Sequence, residues 1–332
     1  MSSKEFKALI IKEKNGKYIR EIGKRNINDL PAGDVLISVK YSSLNYKDAL
    51  SAIGNKGVTR TYPHTPGIDA AGLVEESHTD KFKEGDKVIV TGFDLGMNTP
   101  GGFGEFISVP ADWVVKLPDN LTLKESMIYG TAGFTAALSL YRLEHTGLKK
   151  SDGDILVTGA TGGVGSLAVA ILSHAGYDVT AATGKSDKEE YLKKLGASSV
   201  ITREFVDDSS GKPLLPTRWA GVVDTVGGNI LSAAVRSTKH GGGIAACGLT
   251  QSPNLNLTVY PFILRGVNLM GIDSAHCQTD VRRQMWNNLA GKWKPELLDD
   301  IGEICGLENI SGKIDKILEG KITGRTVIDL SI

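Results

Sequence analysis

The pattern of apolar and polar positions changes twice along the chain. Up to about residue 122, short alternating or apolar runs such as DVLISVKYSS and DKVIVTGF are separated by glycine, proline, aspartate and asparagine, which is typical of strands joined by turns. The spacing then becomes helical, and runs such as DILVTGA and SLAVAILSHAG alternate as strand and helix to about residue 265. The remainder mixes both patterns and ends in a strand.

Strands that alternate with helices indicate right-handed crossovers and a parallel sheet. The sequence therefore predicts an α/β protein with two domains. A doubly wound parallel-sheet domain covers 123–265, and a β-rich domain is formed by 1–122 and 266–332, of which the second segment is partly shared with the parallel sheet.

Charge and cysteine content narrow the classes of protein. The 38 basic and 38 acidic residues balance, so no overall field favours nucleic acid or an anionic membrane. Cys247, Cys277 and Cys305 are scattered, which argues against a disulfide framework or a structural zinc cluster. The apolar run near the N-terminus is too short for a signal peptide or a membrane span, so we expect a soluble, cytoplasmic protein.

A glycine-rich turn, TGATGGVGS at 158–166, lies directly between a predicted strand and a predicted helix. Gly159, Gly162 and Gly165 keep a three-residue spacing that lets backbone amides approach a pyrophosphate at the helix N-terminus. A lone glycine motif is weak, but the strand before it and the helix after it favour a dinucleotide over an empty turn. We expect cofactor contacts from Gly162, Gly163, Val164 and Gly165.

The end of the next predicted strand indicates which dinucleotide is bound. An NAD site would carry a carboxylate there, whereas this chain has Thr183, Gly184 and Lys185, with no acid before Asp187. Hydroxyls and an ammonium group would attract a 2′-phosphate, and Tyr191 could reach the same phosphate or stack on the adenine. Taken alone, Lys185 could instead be a solvated loop lysine, and Tyr191 a half-buried helix residue without a cofactor contact. Together they predict NADPH.

The order of the motifs resembles a known superfamily. SSLNYKDAL, PHTPGIDAAG, GDKVIVTG, GGFGEF, GTAGFTA and TGATGGVGS follow one another as in medium-chain dehydrogenases/reductases, over essentially the whole chain. SSLNYKDAL, PFILRGV, GIDS and GRTVIDL are most similar to its acrylyl-CoA reductase/quinone oxidoreductase subfamily (YhdH/YhfP-like). The resemblance implies a GroES-like catalytic domain, a Rossmann domain and a homodimer through the Rossmann sheet.

The resemblance also implies that no catalytic zinc is bound. Zinc-dependent members of the superfamily carry a cysteine in the first of these loops and a His-Glu pair in the second. Here Asn45 holds the first position, and Ile68 and Asp69 hold the other two, which is not a zinc ligand set. We interpret His64, beside a proline turn, as structural. Without a Lewis acid, reduction of an activated C=C bond or a quinone is expected.

Such a reduction needs hydrogen-bond donors where charge develops on the acceptor. We predict Asn45 and Tyr46 as donors, and Asp69 as the acid that orients Asn45 or Lys47. Tyr46 could equally hold the cofactor. Asp48 is interpreted as a structural acid, and the role of Lys47 stays open.

Four further cofactor contacts are implied by the resemblance. They are Leu249, Ile263, Ser274 and Arg325, where a surface arginine in a turn is the alternative for the last.

The predicted function is NADPH-dependent, zinc-independent reduction of acrylyl-CoA or a related short enoyl-CoA. The alternatives are an NADPH:quinone oxidoreductase, or an NADPH-binding or sensing protein with weak turnover. No basic cluster identifies a CoA clamp, although Arg265, Arg282 and Arg283 could contribute once the chain is folded. Neither nucleic acid nor a membrane is an expected partner.

Overall fold

The computed structural model describes residues 4–332. The strands in this range are β1 (Glu5–Lys14), β2 (Lys17–Asn26), β3 (Val35–Ser43), β4 (Asp69–Ser77), β5 (Lys87–Thr91), β6 (Phe106–Val109), β7 (Val114–Lys116), β8 (Ile155–Thr158), β9 (Val179–Thr183), β10 (Ser199–Thr202), β11 (Trp219–Asp224), β12 (Thr238–Ala246), β13 (Asn268–Gly271), β14 (Gly302–Gly306) and β15 (Arg325–Asp329). The α-helices are α1 (Tyr46–Ala52), α2 (Leu123–His145), α3 (Gly163–His174), α4 (Glu189–Lys194), α5 (Arg203–Val206), α6 (Gly228–Ser237), α7 (Tyr260–Arg265), α8 (Thr279–Ala290) and α9 (Ile310–Leu318).

The chain forms two compact units. The first contains the chain up to Thr131 together with Ala275–Ala290 and Asp299–Ile332, and the second contains Ala132–Ser274 and Gly291–Leu298. The units thus divide after Thr131 and after Ser274, and the domain boundaries at 122 and 265 stay predictions.

The first unit is built on a sheet with strand order β14-β15-β3-β4-β5-β7, and β6 pairs with β3. Val35, Ile37 and Val39 alternate along β3 and are buried against the core of this sheet, as the period-two pattern predicts. Both β4 and β15 run antiparallel to β3. The C-terminal end of β3 therefore lies beside the N-terminal ends of β4 and β15.

The second unit contains a six-stranded sheet with order β10-β9-β8-β11-β12-β13, in which every neighbouring pair is parallel. In sequence order this is 3-2-1-4-5-6, the doubly wound Rossmann arrangement. The expected parallel-sheet domain is thus confirmed. Its sixth strand, β13, lies beyond the predicted end at 265.

Candidate functional site

A buried polar cluster lies where β3 ends and β4 begins. The Asp69 carboxylate is fully buried, and its Oδ2 accepts hydrogen bonds from Ser43 Oγ (2.6 Å), Asn45 Nδ2 (2.7 Å) and the Thr131 backbone N–H (2.9 Å). Its Oδ1 accepts from Thr131 Oγ1 at 2.6 Å. A buried carboxylate is tolerated when donors surround it in this way.

Arg325, the first residue of β15, extends into the same cluster. Its Nε donates to the Ile128 carbonyl (3.2 Å), its Nη1 to the Leu44 carbonyl (3.0 Å) and Asn45 Oδ1 (3.2 Å), and its Nη2 to Ser43 Oγ (2.7 Å). The side chain is only 3% exposed, which excludes the surface arginine considered above. The cofactor contact predicted for Arg325 stays a prediction.

The charge of Arg325 is balanced within the cluster. Its Nη2 lies 3.7 Å from Asp69 Oδ2. Burial lowers the pKa of Arg325, while the charges of Asp69 and Asp48 act in the opposite direction. A guanidinium group stays protonated in proteins, so Arg325 and Asp69 form a buried ion pair.

Asp48 fixes the loop conformation through backbone contacts. Its Oδ2 accepts from the Asn45 N–H (2.8 Å), and its Oδ1 accepts from the N–H groups of Gly67 (3.1 Å) and Ile68 (2.8 Å). Burial and the charge of Asp69 raise the pKa of Asp48 to about 7, and the backbone hydrogen bonds oppose that rise. These contacts are those of the structural acid that the sequence suggested.

Tyr46 begins α1 immediately after this cluster, and the residue is 47% exposed. Asn45, by contrast, is 8% exposed and uses its amide hydrogens on Asp69 and on the Ser43 carbonyl. The half-buried Lys47 has no hydrogen-bond or ion-pair partner that its ammonium group reaches within residues 4–332. Of the predicted donors, Tyr46 is therefore the one whose side chain reaches solvent.

Gly130 interrupts the long helix α2 beside the cluster. Its backbone angles are φ 49° and ψ −155°, outside the helical region. A Cβ at this position would lie 2.5 Å from both Asp69 Oδ2 and Ser43 Oγ, and 2.8 Å from Arg325 Nη2. Glycine is required because no side chain would fit there, and the positive φ adds a second reason.

In the second unit, the glycine-rich turn leads directly into α3. Gly162 is the residue before the helix, and Gly163, Val164 and Gly165 form its first turn. A Cβ on Gly165 would lie 2.2 Å from the Gly159 carbonyl oxygen, so the turn and helix pack too closely for a side chain. This arrangement leaves the amides of a twelve-residue helix at a glycine-lined N-terminus, which suits a pyrophosphate.

A cavity of about 380 Å³ opens beside this turn, at the carboxyl ends of the parallel strands. Thr183, Gly184 and Lys185, predicted as cofactor contacts, lie in its wall. Burial lowers the pKa of Lys185, and the charge of Lys188 acts in the same direction. The residues that line the cavity are Thr158, Gly159, Thr161, Ala182, Thr183, Gly184, Lys185, Arg203, Val206, Val226, Ile230, Thr250 and Gln251.

Arg203 is a cavity residue that the sequence reasoning missed. It follows β10 directly, and Thr202 of β10 pairs with Thr183 of β9, which brings Arg203 to the same sheet edge as Lys185. A Cβ on Gly184 would lie 3.4 Å from Arg203 Cζ. No acidic residue is found in the cavity wall as described, so two cations and several hydroxyls are suited to NADPH.

Of the predicted cofactor contacts, Thr183, Gly184 and Lys185 are the ones in the cavity wall as described, and the other ten, which include Gly162, Gly163, Val164 and Gly165, do not line it. Tyr191 is half-buried on α4, and Ser274 is half-buried at the end of the second unit. Leu249 follows β12, Ile263 lies on α7, and both are well exposed. Their cofactor contacts stay predictions.

Two of the three arginines suggested for a CoA clamp have contacts that do not support that role. Arg282 is buried and donates to the Thr91 carbonyl. Arg265 donates to the Leu215 carbonyl at 2.7 Å. Arg283 is exposed. The first two guanidinium groups therefore serve the fold.

The residue types at the positions that resemble zinc ligands do not fit a zinc site. Asp69 is already enclosed by donors, and Asn45 and Ile68 supply neither thiolate nor imidazole. Among residues 4–332, no three histidine, cysteine, aspartate or glutamate side chains are grouped to hold a metal. His64 is buried with its Nε2 2.9 Å from the Gly96 carbonyl oxygen. In the same part of the chain, no helix has the length and apolar character needed to cross a membrane.

Comparison with protein families gives two matches. Residues 31–119 match the alcohol dehydrogenase GroES-like domain, and residues 163–291 match the zinc-binding dehydrogenase family.

Three proteins illustrate the similarity. "Putative quinone oxidoreductase YhfP" of Bacillus subtilis is 50% identical over 91% of this chain and 92% of its own length. The crystal structure of Bacillus subtilis yhfP with NAD bound superposes with a TM-score of 0.96, and the match covers 98% of this chain and all of that one. Acrylyl-CoA reductase AcuI of Ruegeria pomeroyi is 42% identical over 98% of this chain and 99% of its own. The yhdH oxidoreductase of Salmonella enterica in complex with NADP is 40% identical, with a TM-score of 0.95 over 98% of this chain and 99% of that one.

Proposed function

Since this chain belongs to the acrylyl-CoA reductase/quinone oxidoreductase subfamily of the medium-chain dehydrogenases/reductases, and is an NADPH-dependent oxidoreductase, we propose that it reduces the activated C=C bond of acrylyl-CoA or a related short enoyl-CoA. The observation that supports this acceptor is the 42% identity, over nearly the full length, to a protein named as an acrylyl-CoA reductase. The cavity with Lys185 and Arg203 supports NADPH as the reductant.

The proposed reaction adds two electrons and two hydrogens to the acceptor. When bound, NADPH supplies the hydride that the β-carbon accepts. Charge then develops on the thioester oxygen, where a hydrogen-bond donor stabilises the enolate until a proton reaches the α-carbon. We assign this donor to Tyr46, because a phenol donates without carrying a charge and this one reaches solvent.

Asn45 and Asp69 have a supporting role in this proposal. The Asn45 amide donates to Asp69 and to the Ser43 carbonyl. Both carboxylate oxygens of Asp69 accept hydrogen bonds from residues of the cluster. Both residues would therefore act by fixing the segment that ends at Tyr46. Turnover is proposed to need no metal, because the ligand set does not fit zinc.

A quinone is the second candidate acceptor. It is favoured by the 50% identity to a protein whose name describes a quinone oxidoreductase. The geometry of the first unit does not separate the two acceptors, since a quinone oxygen would also gain charge and need a donor.

The deciding experiment follows NADPH oxidation with acrylyl-CoA, crotonyl-CoA and a small quinone side by side. We expect the highest kcat/KM with acrylyl-CoA, and the same rate after treatment with a chelator. A higher kcat/KM with the quinone would transfer the proposal to that acceptor. Tight NADPH binding without turnover on any of the three would indicate a binding protein, and loss of activity on chelation would contradict the metal-free reaction.

We also propose a homodimer formed through the second unit. β13 is the last strand of the parallel sheet, so its outer backbone groups lack a strand partner within the described residues. Val259, directly before α7, and Ile263 and Leu264 within this helix are exposed. Light scattering should give a dimer mass for the wild type and a monomer mass for Leu264→Glu, and a monomeric wild type would exclude this interface.

A further inference from the structure

Asp224, the last residue of β11, is a buried acid that the reaction proposed above does not use. Because β11 lies between β8 and β12 in the parallel sheet, Asp224 stands near the centre of the edge on which the cavity opens. The residue is 0% exposed, so a molecule bound in the cavity would not touch its carboxylate. Any influence of Asp224 on the cavity must therefore pass through the groups that this carboxylate holds.

The carboxylate joins the turns that follow two neighbouring strands. Its Oδ1 accepts a hydrogen bond from the Oγ1 of Thr158, the last residue of β8, at 2.6 Å. Its Oδ2 accepts from the backbone N–H groups of Gly227 (2.8 Å) and Val226 (3.3 Å), directly after β11. Thr158 begins the glycine-rich turn, and both Thr158 and Val226 line the cavity. One buried side chain thus sets the spacing between two parts of the cavity wall.

Thr225 adds direct contacts between the same two turns. Its backbone N–H donates to Thr158 Oγ1 (3.1 Å), and its Oγ1 donates to the Thr158 carbonyl (2.9 Å). A Cβ on Gly159 would lie 2.3 Å from Thr225 Oγ1, so the close approach of the two turns requires glycine at this position. Thr225 is not in the cavity wall as described, and its effect on the cavity would also pass through Thr158 and Gly159.

The backbone around Asp224 also fixes the segment that follows β12. The Asp224 carbonyl accepts from the Cys247 N–H, and the Val226 carbonyl accepts from the Gln251 N–H, both at 2.9 Å. Gln251 and its neighbour Thr250 line the cavity. The parts of the wall that follow β8, β11 and β12 therefore all have contacts with Asp224 or with the two residues after it.

A carboxylate is suited to this position because each group that it contacts is a donor. Burial raises the pKa of Asp224, and the hydrogen bonds from Thr158, Gly227 and Val226 oppose that rise. An asparagine of the same shape has only one accepting oxygen, and its nitrogen is a donor. It would leave one of the two turns without its acceptor.

We propose that Asp224 is a positioning residue for the cofactor: it holds the turns after β8 and β11 at the spacing that accepts the portion of the dinucleotide common to NADPH and NADH. The inference rests on the proposed function only in taking the cavity as the cofactor site, and it depends on no particular acceptor. Lys185 and Arg203 follow β9 and β10, so the 2′-phosphate belongs to a different part of the wall.

The test compares Asp224→Asn with Asp154→Asn. Asp154 is a matched control, because its Oδ2 also accepts from a threonine hydroxyl of the same sheet, that of Thr180 at 2.7 Å. It directly precedes β8, at the end of the sheet opposite to the cavity. A general effect of losing a carboxylate that binds a threonine should lower the melting temperature of both variants.

The melting temperature and the Kd values for NADPH and NADH are measured for each variant. For Asp224→Asn we expect both Kd values to rise by the same factor, about tenfold or more. For Asp154→Asn we expect both to stay within about twofold of wild type, even if the melting temperature falls equally. Unchanged affinities in Asp224→Asn, a loss for NADPH alone, or equal losses in the two variants would overturn the proposal.

Amide hydrogen exchange reports on the turns without any acceptor. Residues 225–231 should exchange faster in Asp224→Asn than in wild type, and at the wild-type rate in Asp154→Asn. NADPH should slow exchange at 159–165 in the wild type, and no slowing there would overturn the inference, since the cavity would not be the cofactor site. A wild type that binds NADPH but reduces none of the acceptors would contradict the proposed function alone, and the Kd values would still decide this inference.

Thr225→Val is the second variant if Asp224→Asn does not fold. It removes the hydroxyl that donates to the Thr158 carbonyl and leaves Asp224 in place. We expect the Kd values for both cofactors to rise about threefold or more, and Thr225→Ser, which keeps the hydroxyl, to bind both as the wild type does. Wild-type affinities in Thr225→Val, or equal losses in Thr225→Val and Thr225→Ser, would contradict the proposal.

Discussion

Asn45 and Tyr46 are adjacent in the chain, but their side chains have opposite surroundings. Asn45 is enclosed by Asp69 and Arg325, while the Tyr46 side chain reaches solvent. The sequence presented both as polar residues at a strand end. It could not show which of them would be enclosed, because the enclosing groups come from segments far away along the chain.

Tyr46→Phe tests whether the Tyr46 hydroxyl is the hydrogen-bond donor to the acceptor. Removal of the hydroxyl should lower kcat with the enoyl-CoA by about 10- to 100-fold, since the enolate oxygen loses a hydrogen bond in the transition state. The free energy of unfolding should change by less than about 0.5 kcal/mol, because the side chain is half exposed. Steady-state kinetics and urea unfolding measure the two effects. Tyr260→Phe, which alters a tyrosine of similar exposure in the second unit, is the control, and wild-type turnover in Tyr46→Phe would remove this residue from the site.

Arg203→Gln tests the phosphate end of the cavity. The Kd for NADPH should rise about tenfold or more through loss of a charge-assisted hydrogen bond, and the Kd for NADH should stay unchanged. Cofactor titration followed by calorimetry gives both values. Arg218→Gln removes an exposed arginine of the same unit that is not in the cavity wall, so it should leave both constants unaltered. If Arg203→Gln weakened the binding of NADPH and NADH equally, Arg203 would contact a portion of the cofactor that both molecules have, and not the 2′-phosphate.

At the scale of elements, α2 shows a limit of pattern reasoning. The run from residue 121 onward has helical spacing, and the structure confirms a helix at Leu123–His145. The break at Gly130 has no signature in that pattern, because an isolated glycine is tolerated within helices. The reason for the break is the close approach of Asp69 and Ser43, which only the folded chain reveals.

Gly130→Ala should therefore be strongly destabilising. The added Cβ would collide with two buried polar atoms and would require a positive φ, so we expect a loss of about 2–4 kcal/mol in the free energy of unfolding. Gly312→Ala is the control, since Gly312 lies within α9 and a Cβ there meets no atom within 4 Å. That substitution should raise stability by about 0.5–1 kcal/mol in urea unfolding. Similar small effects from both would contradict the close packing at Gly130.

His64 links the loop before β4 to β1 and makes stability depend on pH. Its backbone pairs with Ile11, and its buried ring lies against the Gly96 carbonyl. Burial lowers the pKa of His64 below its usual value of 6.5, so below that pH the unfolded chain binds a proton that the folded chain does not. The contribution of His64 to the free energy of unfolding is therefore fully present above about pH 6.5 and falls as the pH is lowered.

His64→Gln should reduce this dependence, because the amide can donate to the same carbonyl but does not titrate in this range. Urea unfolding from pH 7.5 to 5 measures the slopes, and we expect a shallower loss of stability in the variant. His240→Gln, at an exposed position, should keep the wild-type slope, and parallel slopes for wild type and His64→Gln would contradict the assignment.

For the whole molecule, hydrophobic periodicity was sufficient to predict a β-rich part and a parallel α/β part, since a long alternation of strands and helices is compatible with few architectures besides a parallel sheet. It did not reveal β13, because this strand has four residues and follows the short helix α7. The division between the two units falls within α2, so this helix contributes to both. Arg203 was missed because its position depends on the register of β10 against β9, which single-sequence patterns do not contain.

The position of β15 has a consequence for the order in which the protein can fold during synthesis. This strand lies between β14 and β3, yet it consists of residues 325–329 near the end of the chain. The large sheet of the first unit, and the cluster around Asp69, therefore remain incomplete on the ribosome until residues 325–329 have been made. The strands of the second unit all lie within residues 155–271. We expect the nucleotide-binding unit to form first, while the segment with Asn45 and Tyr46 must wait for β15.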